Sequence, residues 1–111
     1  HLNEMCGSRL SAEIEYDSIP KLEPAIHLVA RGCYPDGALR NWKSYGHRVQ
    51  GATTMERMFM LADPQTSGGL LVAVNPKDQE KVIRTLSAYG ASTTCIGVFC
   101  SKNPTSTIRV R

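Results

Sequence analysis

The sequence predicts an α+β fold, a mixed β-sheet with helices packed on it. Three observations carry that reading: an alternating strand near the start, helical stripes bounded by caps and glycines, and apolar or alternating runs after each later helix. At 111 residues the chain has the length of a single domain, 1–111, with a modest core. A 41% hydrophobic and 21% charged composition is ordinary for a globular chain, and only 6% is aromatic, so aliphatic packing must dominate the interior.

Each element has a local cause. "HLNEMC" reads as the last turns of a helix, with Leu2, Met5 and Cys6 on one face and Gly7 ending it. "SAEIEYD" alternates, so Ala12, Ile14 and Tyr16 should face inward, and Glu13 and Glu15 water. Pro24 suits the first turn of a helix running to Arg31, with Ile26, Val29 and Ala30 as its stripe and Gly32 as its stop. Residues 33–51 keep no period and are rich in Gly, Pro, Asn and Asp, which predicts a long loop anchored by Trp42. Thr54 caps a helix from Met55 to Ala62, whose Met55, Met58 and Phe59 read as core. "LLVAV", residues 70–74, reads as a central strand covered on both faces. Asn75, Pro76 and Asp78 then start a helix with Val82, Ile83, Leu86 and Tyr89 buried, stopped by Gly90. "TTCIGVFC" is a further strand, and "STIRVR" alternates Ile108 and Val110 against Arg109 and Arg111, the pattern of a charged edge strand.

Several function classes fall away. The net charge of +3 is mild and its Lys and Arg are scattered, which argues against a nucleic-acid partner. No apolar run reaches membrane-spanning length. Cys6, Cys33, Cys95 and Cys100 form no C-x-x-C pair and lack zinc spacing, so they read as free thiols of a reducing compartment and predict a cytoplasmic location. His47 has no nucleophile or carboxylate partner by spacing, and no P-loop, nucleophile elbow or zinc-protease motif occurs. The sequence therefore assigns no catalytic and no metal-binding residue.

The densest stretch is "LADPQTSGGLLVAV", residues 61–74. Thr66, Ser67, Gly68 and Gly69 offer hydroxyls and amides that can form an anion-holding nest, and they are the candidate ligand-binding residues. The other reading is structural. Phosphate loops usually lead from a strand into a helix N-terminus, whereas here a helix precedes and a strand is expected to follow. Asp63-Pro64 blocks continuation of the helix, and Gln65, Thr66 and Ser67 can satisfy backbone groups at the corner. On this reading the glycines permit unusual dihedrals, so that Gly68→Val damages folding more than Thr66→Ala does. The helix-to-strand order favours the structural corner.

"DPQTSGGLLVAV" closely resembles a stretch of the selenophosphate synthetase (selenide, water dikinase) family, within the wider aminoimidazole ribonucleotide synthetase-like group. "HLNEM", "AEIEYDSIPKL", "GALRNW" and "GASTTCIGVF" are similar to further family segments in the same order, so the likeness covers nearly the whole chain. Asp36 stands where the family usually carries the first of two glycines ending at Gly37. The resemblance implies most of the C-terminal domain of a two-domain enzyme, truncated at its N-terminal side. The family makes monoselenophosphate from selenide, ATP and water, releases AMP and phosphate, and uses Mg²⁺. It implies an N-terminal domain of the same enzyme as partner, and a homodimeric parent. The family's catalytic Cys or selenocysteine, Lys and metal-binding aspartates match nothing in residues 1–111, so the chain alone is expected to be inactive and to hold no cofactor tightly. The alternative is a non-enzymatic α+β interaction module that docks through the 33–51 loop.

Overall fold

The computed structural model describes residues 1–111. Five α-helices and four strands follow the order α1 (Leu2–Cys6), β1 (Leu10–Ile14), α2 (Glu23–Ala30), α3 (Asp36–Tyr45), β2 (Val49–Gln50), α4 (Met55–Leu61), α5 (Gln79–Ala88), β3 (Gly97–Ser101) and β4 (Ile108–Val110). The sheet runs β2-β4-β1-β3 and is mixed: β1 pairs antiparallel with β3, while β4 lies parallel to both β1 and β2. An α+β mixed sheet is therefore what the chain forms.

Alternation in β1 holds from Ala12 to Ile14, although Ser11 on the opposite face is buried too. Ala12 and Ile14 are buried, and Ile14 joins Ala52, Ile108 and Val110 in the central apolar cluster. Leu2 from α1, Trp42 from α3, and Met58 and Leu61 from α4 close over it. Trp42 is thus a packing anchor. Phe59 is buried and stacks on Tyr34, with ring centroids 3.8 Å apart.

The local stop and start signals are also realised. Thr54 Oγ1 accepts from the Arg57 N–H at 3.3 Å, and Asn75 Oδ1 from the Lys77 N–H at 3.2 Å. The latter opens a 3₁₀ turn, Pro76–Asp78, that leads into α5.

Four expectations are corrected. Residues 33–51 are not a long loop: Asp36–Tyr45 form α3, with Pro35 as its N-cap residue, and Ala38 is fully buried. Gly and Asn lowered the apparent helicity, but the Ala38 and Trp42 contacts outweigh a propensity cost of about 1 kcal/mol for a helical glycine. Residues 70–74 are not a strand. No backbone hydrogen bond involves residues 66–74, the run is no part of the four-stranded sheet, and Leu70 is 89% exposed. Tyr89 is 87% exposed instead of buried, and Met55 and Ile26, read as core-facing, are exposed as well.

The fourth correction concerns β4, which is an interior strand, not an edge. Arg109 Nη1 donates to Glu13 Oε1 at 3.1 Å, and Arg111 Nη2 donates to Glu13 Oε2 at 2.5 Å. A carboxylate on the neighbouring strand neutralises the charges that read as an edge signature. Glu13 is correspondingly half-buried, not a free solvated carboxylate, whereas Glu15 is exposed.

The Cys6 thiol is buried beside this sheet. Burial pushes its pKa above the ordinary value of 9.0, with Cys100 reinforcing the rise and Lys102 opposing it; burial is the largest of the three causes. Tyr16 is raised above 10.0 for the same leading reason. A raised thiol value means the unfolded chain loses this proton first. The resulting stability is complete below the ordinary value and is lost as pH rises through the folded one. The urea midpoint is therefore expected to hold steady up to about pH 9 and to fall beyond it. In Cys6→Ala the decline should start only above the ordinary tyrosine value of 10.0. Identical pH profiles for the two proteins would show that the thiol contributes nothing.

Candidate functional site

The 63–69 segment begins where α4 ends. Ala62 caps that helix, its N–H bonding to the Met58 carbonyl at 3.1 Å. Its own carbonyl, one of the acceptors a helix end leaves open, accepts from Asn41 Nδ2 of α3 at 2.9 Å. The Gln65 N–H returns to the Asp63 carbonyl at 3.1 Å, and the Pro64 ring rests against Gly37 in the first turn of α3. The corner thus meets α3 at its N-terminal end, where the helix dipole is positive. A reading of residues 33–51 as loop hides that neighbour.

Thr66, Ser67, Gly68 and Gly69 then run on together, all four exposed. The flanking side-chain hydrogen bonds are made by Asn41 to Ala62 and by Asn75 to Lys77, so Thr66 and Ser67 do not close the corner as expected. The structure brings four candidate residues into one accessible stretch with their amides free of backbone partners. Neither Gly68 nor Gly69 has a positive φ, a conformation taken only by Gly7, Gly32, Gly51 and Gly90. A Cβ on Gly68 would meet the flexible end of the Gln65 side chain, and one on Gly69 would meet open space. The reason for expecting Gly68→Val to damage folding is therefore removed.

The site is open, not enclosed. A shallow cavity of about 290 Å³ lies along α5 between Asp78, Lys81, Val82, Thr85 and Leu86, and touches none of residues 63–69. No three His, Cys, Asp or Glu side chains gather to hold a metal ion, so the residues present do not form a Mg²⁺ site. Exposed hydroxyls and amides can donate to an anion, but they cannot surround a nucleotide, whose pocket needs roughly 300–1,000 Å³.

Sequence reasoning missed Gly37 and Asn41, the residues that seat this corner. A signal was available, since Gly37 with Asn41 and Ala38 with Trp42 each stand four residues apart.

Comparison with known proteins now decides the relationship. The family model for AIR synthase related protein, C-terminal domain, matches residues 1–108. The chain belongs to this family. Within it, the chain is 41% identical over 111 residues to a selenide, water dikinase of Shewanella sp. (strain MR-4), covering 99% of this chain and 31% of that protein. Proteins of the same name from Enterobacter sp. (strain 638) and Photobacterium profundum are each 44% identical. Those matches run over 98 and 90 residues, covering 87% and 79% of this chain and 28% and 26% of the relatives. This AIR synthase related C-terminal domain thus spans about a third of the length of the curated relatives it matches. Of residues 33–51, offered as the docking loop of a stand-alone module, Asp36–Tyr45 form a helix whose Ala38 is buried and whose Trp42 packs on the core, and Val49–Gln50 form β2. No helix is long and apolar enough to cross a membrane.

Proposed function

We propose that this chain is the C-terminal domain, a single folded unit, of an enzyme that makes monoselenophosphate from selenide, ATP and water, with release of AMP and phosphate. The observation that carries the reading is a match over 99% of the chain, at 41% identity, to a protein named selenide, water dikinase. The Asp63–Gly69 string, which resembles a highly specific family motif, lies on the surface, and the amides of Thr66 to Gly69 have no backbone partner.

In this reading the chain supplies one wall of the active site. Thr66 and Ser67 hydroxyls and the amides of Gly68 and Gly69 donate to phosphate oxygens, where small residues let the backbone approach closely. Mg²⁺ is required by the parent reaction and would neutralise phosphate charge; its ligands, the nucleophile and the proton-transfer groups belong to the N-terminal domain. The parent works in the cytoplasm as a homodimer.

The experiment is an AMP assay with selenide and ATP on three purified proteins. The full-length enzyme is expected to form AMP, and the 1–111 chain none. Thr66→Ala in the full-length protein should lower turnover by about ten- to a hundred-fold while leaving Tm in place, since this exposed hydroxyl makes no hydrogen bond within the chain. AMP formation by residues 1–111 alone would overturn the division of labour. Unchanged turnover in Thr66→Ala would return the loop to a structural corner.

A further inference from the structure

The geometry points to Gly37 and Asn41 as a positioning pair that sets the direction of the Thr66–Gly69 loop, an inference that rests on the ligand-binding reading of that loop. The two residues are four apart in α3 and so share one face of the helix. From that face they hold the corner at two points. Asn41 Nδ2 donates to the Ala62 carbonyl across 21 residues of chain. Gly37 receives the Pro64 ring so closely that a Cβ there would lie 2.6 Å from Pro64 Cγ and 3.0 Å from its Cβ. A pyrrolidine ring can shift Cγ by a change of pucker but leaves Cβ in place, so an added carbon at residue 37 must displace the corner.

Beyond Gln65 the chain has no backbone hydrogen bond until the capping turn at Asn75. The Ala62–Gln65 corner is therefore the last fixed point before the loop, and a small tilt there displaces Thr66 and Ser67 bodily. Misplacement of about 1 Å in a reacting site costs up to a hundred-fold in rate. The pair is also separable from folding. A neighbouring strip of α3 fastens the helix to the core, with Ala38 fully buried and Trp42 packed on the central cluster. Gly37 and Asn41 touch no substrate and act only through the corner.

Two variants of the full-length enzyme test this, Asn41→Asp and Gly37→Ala. The first keeps the side-chain shape but removes the donor; the second adds the single carbon that the ring excludes. Two readouts are needed. Hydrogen exchange of the Ala62 and Gln65 amides, which are bonded within the corner, is expected to accelerate by about ten-fold in both variants, while exchange of the 38–45 amides of α3 stays as in wild type. The kcat/KM for ATP, measured well below Tm, should fall by about ten- to a hundred-fold. Restoring a side-chain amide as Asn41→Gln should recover part of both losses. A residue of merely structural importance would lower Tm and leave kcat/KM per folded molecule untouched. Unchanged exchange in both variants overturns the seat. Faster exchange with unchanged kcat/KM overturns its role in positioning. A wild-type enzyme that forms no AMP defeats the functional reading instead, and the exchange result still decides the seat.

Discussion

Gly51→Ala is expected to lower the stability of the chain more than any other single-carbon addition outside the cores of its helices. Gly51 follows β2 with φ +95°, a region L-residues with a Cβ rarely adopt. An added Cβ would collide with the Val110 carbonyl oxygen and lie 3.0 Å from the Val110 carbonyl carbon. Both clashes are with backbone, so no side-chain rotation relieves them. The next residue, Ala52, is part of the central cluster with Val110, so displacing Gly51 loosens the core as well. Strain of about 1–3 kcal/mol and overpacking of a similar size act on a domain whose total stability is on the order of 5–15 kcal/mol. The check is the urea midpoint, with Gly69→Ala as the comparison because its Cβ meets open space. Equal midpoints for the two variants would refute the account.

Ile14→Ala comes next. Ile14 is 6% exposed, ends β1, and pairs with Gly97 of β3 on one side and Val110 of β4 on the other. Truncation removes three carbons from a cluster of only four buried residues, and β-strands on both sides limit collapse into the space. A loss of about 2–5 kcal/mol is expected, against about 0.5–1.5 kcal/mol for Ile108→Val in the same cluster. Denaturant titration of both variants gives the comparison. If the two cost the same, the cluster is not the centre of the fold.

Much of the candidate site was readable from letters alone, and its surroundings were not. The Asp63-Pro64 break, the exposed Thr66–Gly69 run and the Thr54 and Asn75 caps all follow from contacts within a few residues. Reading residues 33–51 as loop failed because Gly37 and Asn41 were weighed as helix breakers, when their value lies in what they touch 21 to 27 positions later.

The sequence by itself determined where elements start and stop. Thr54 and Asn75 cap, Gly7, Gly32 and Gly90 reverse the chain at positive φ, and the alternation of Ala12 to Ile14 directs Ala12 and Ile14 inward. These are consequences of dihedral limits and hydrogen bonds spanning no more than about one helical turn. Tertiary structure alone decided which elements meet. Arg109 and Arg111 carry an edge-strand pattern, yet β4 pairs with β1 and β2 on its two sides, and Glu13, almost a hundred residues earlier, accepts from both guanidinium groups. Leu70 to Val74 have the composition of a central strand, yet stand without a ladder because pairing needs a partner edge as well as a suitable run. Burial and pairing are properties of two segments at once, and one segment read alone holds only half of each.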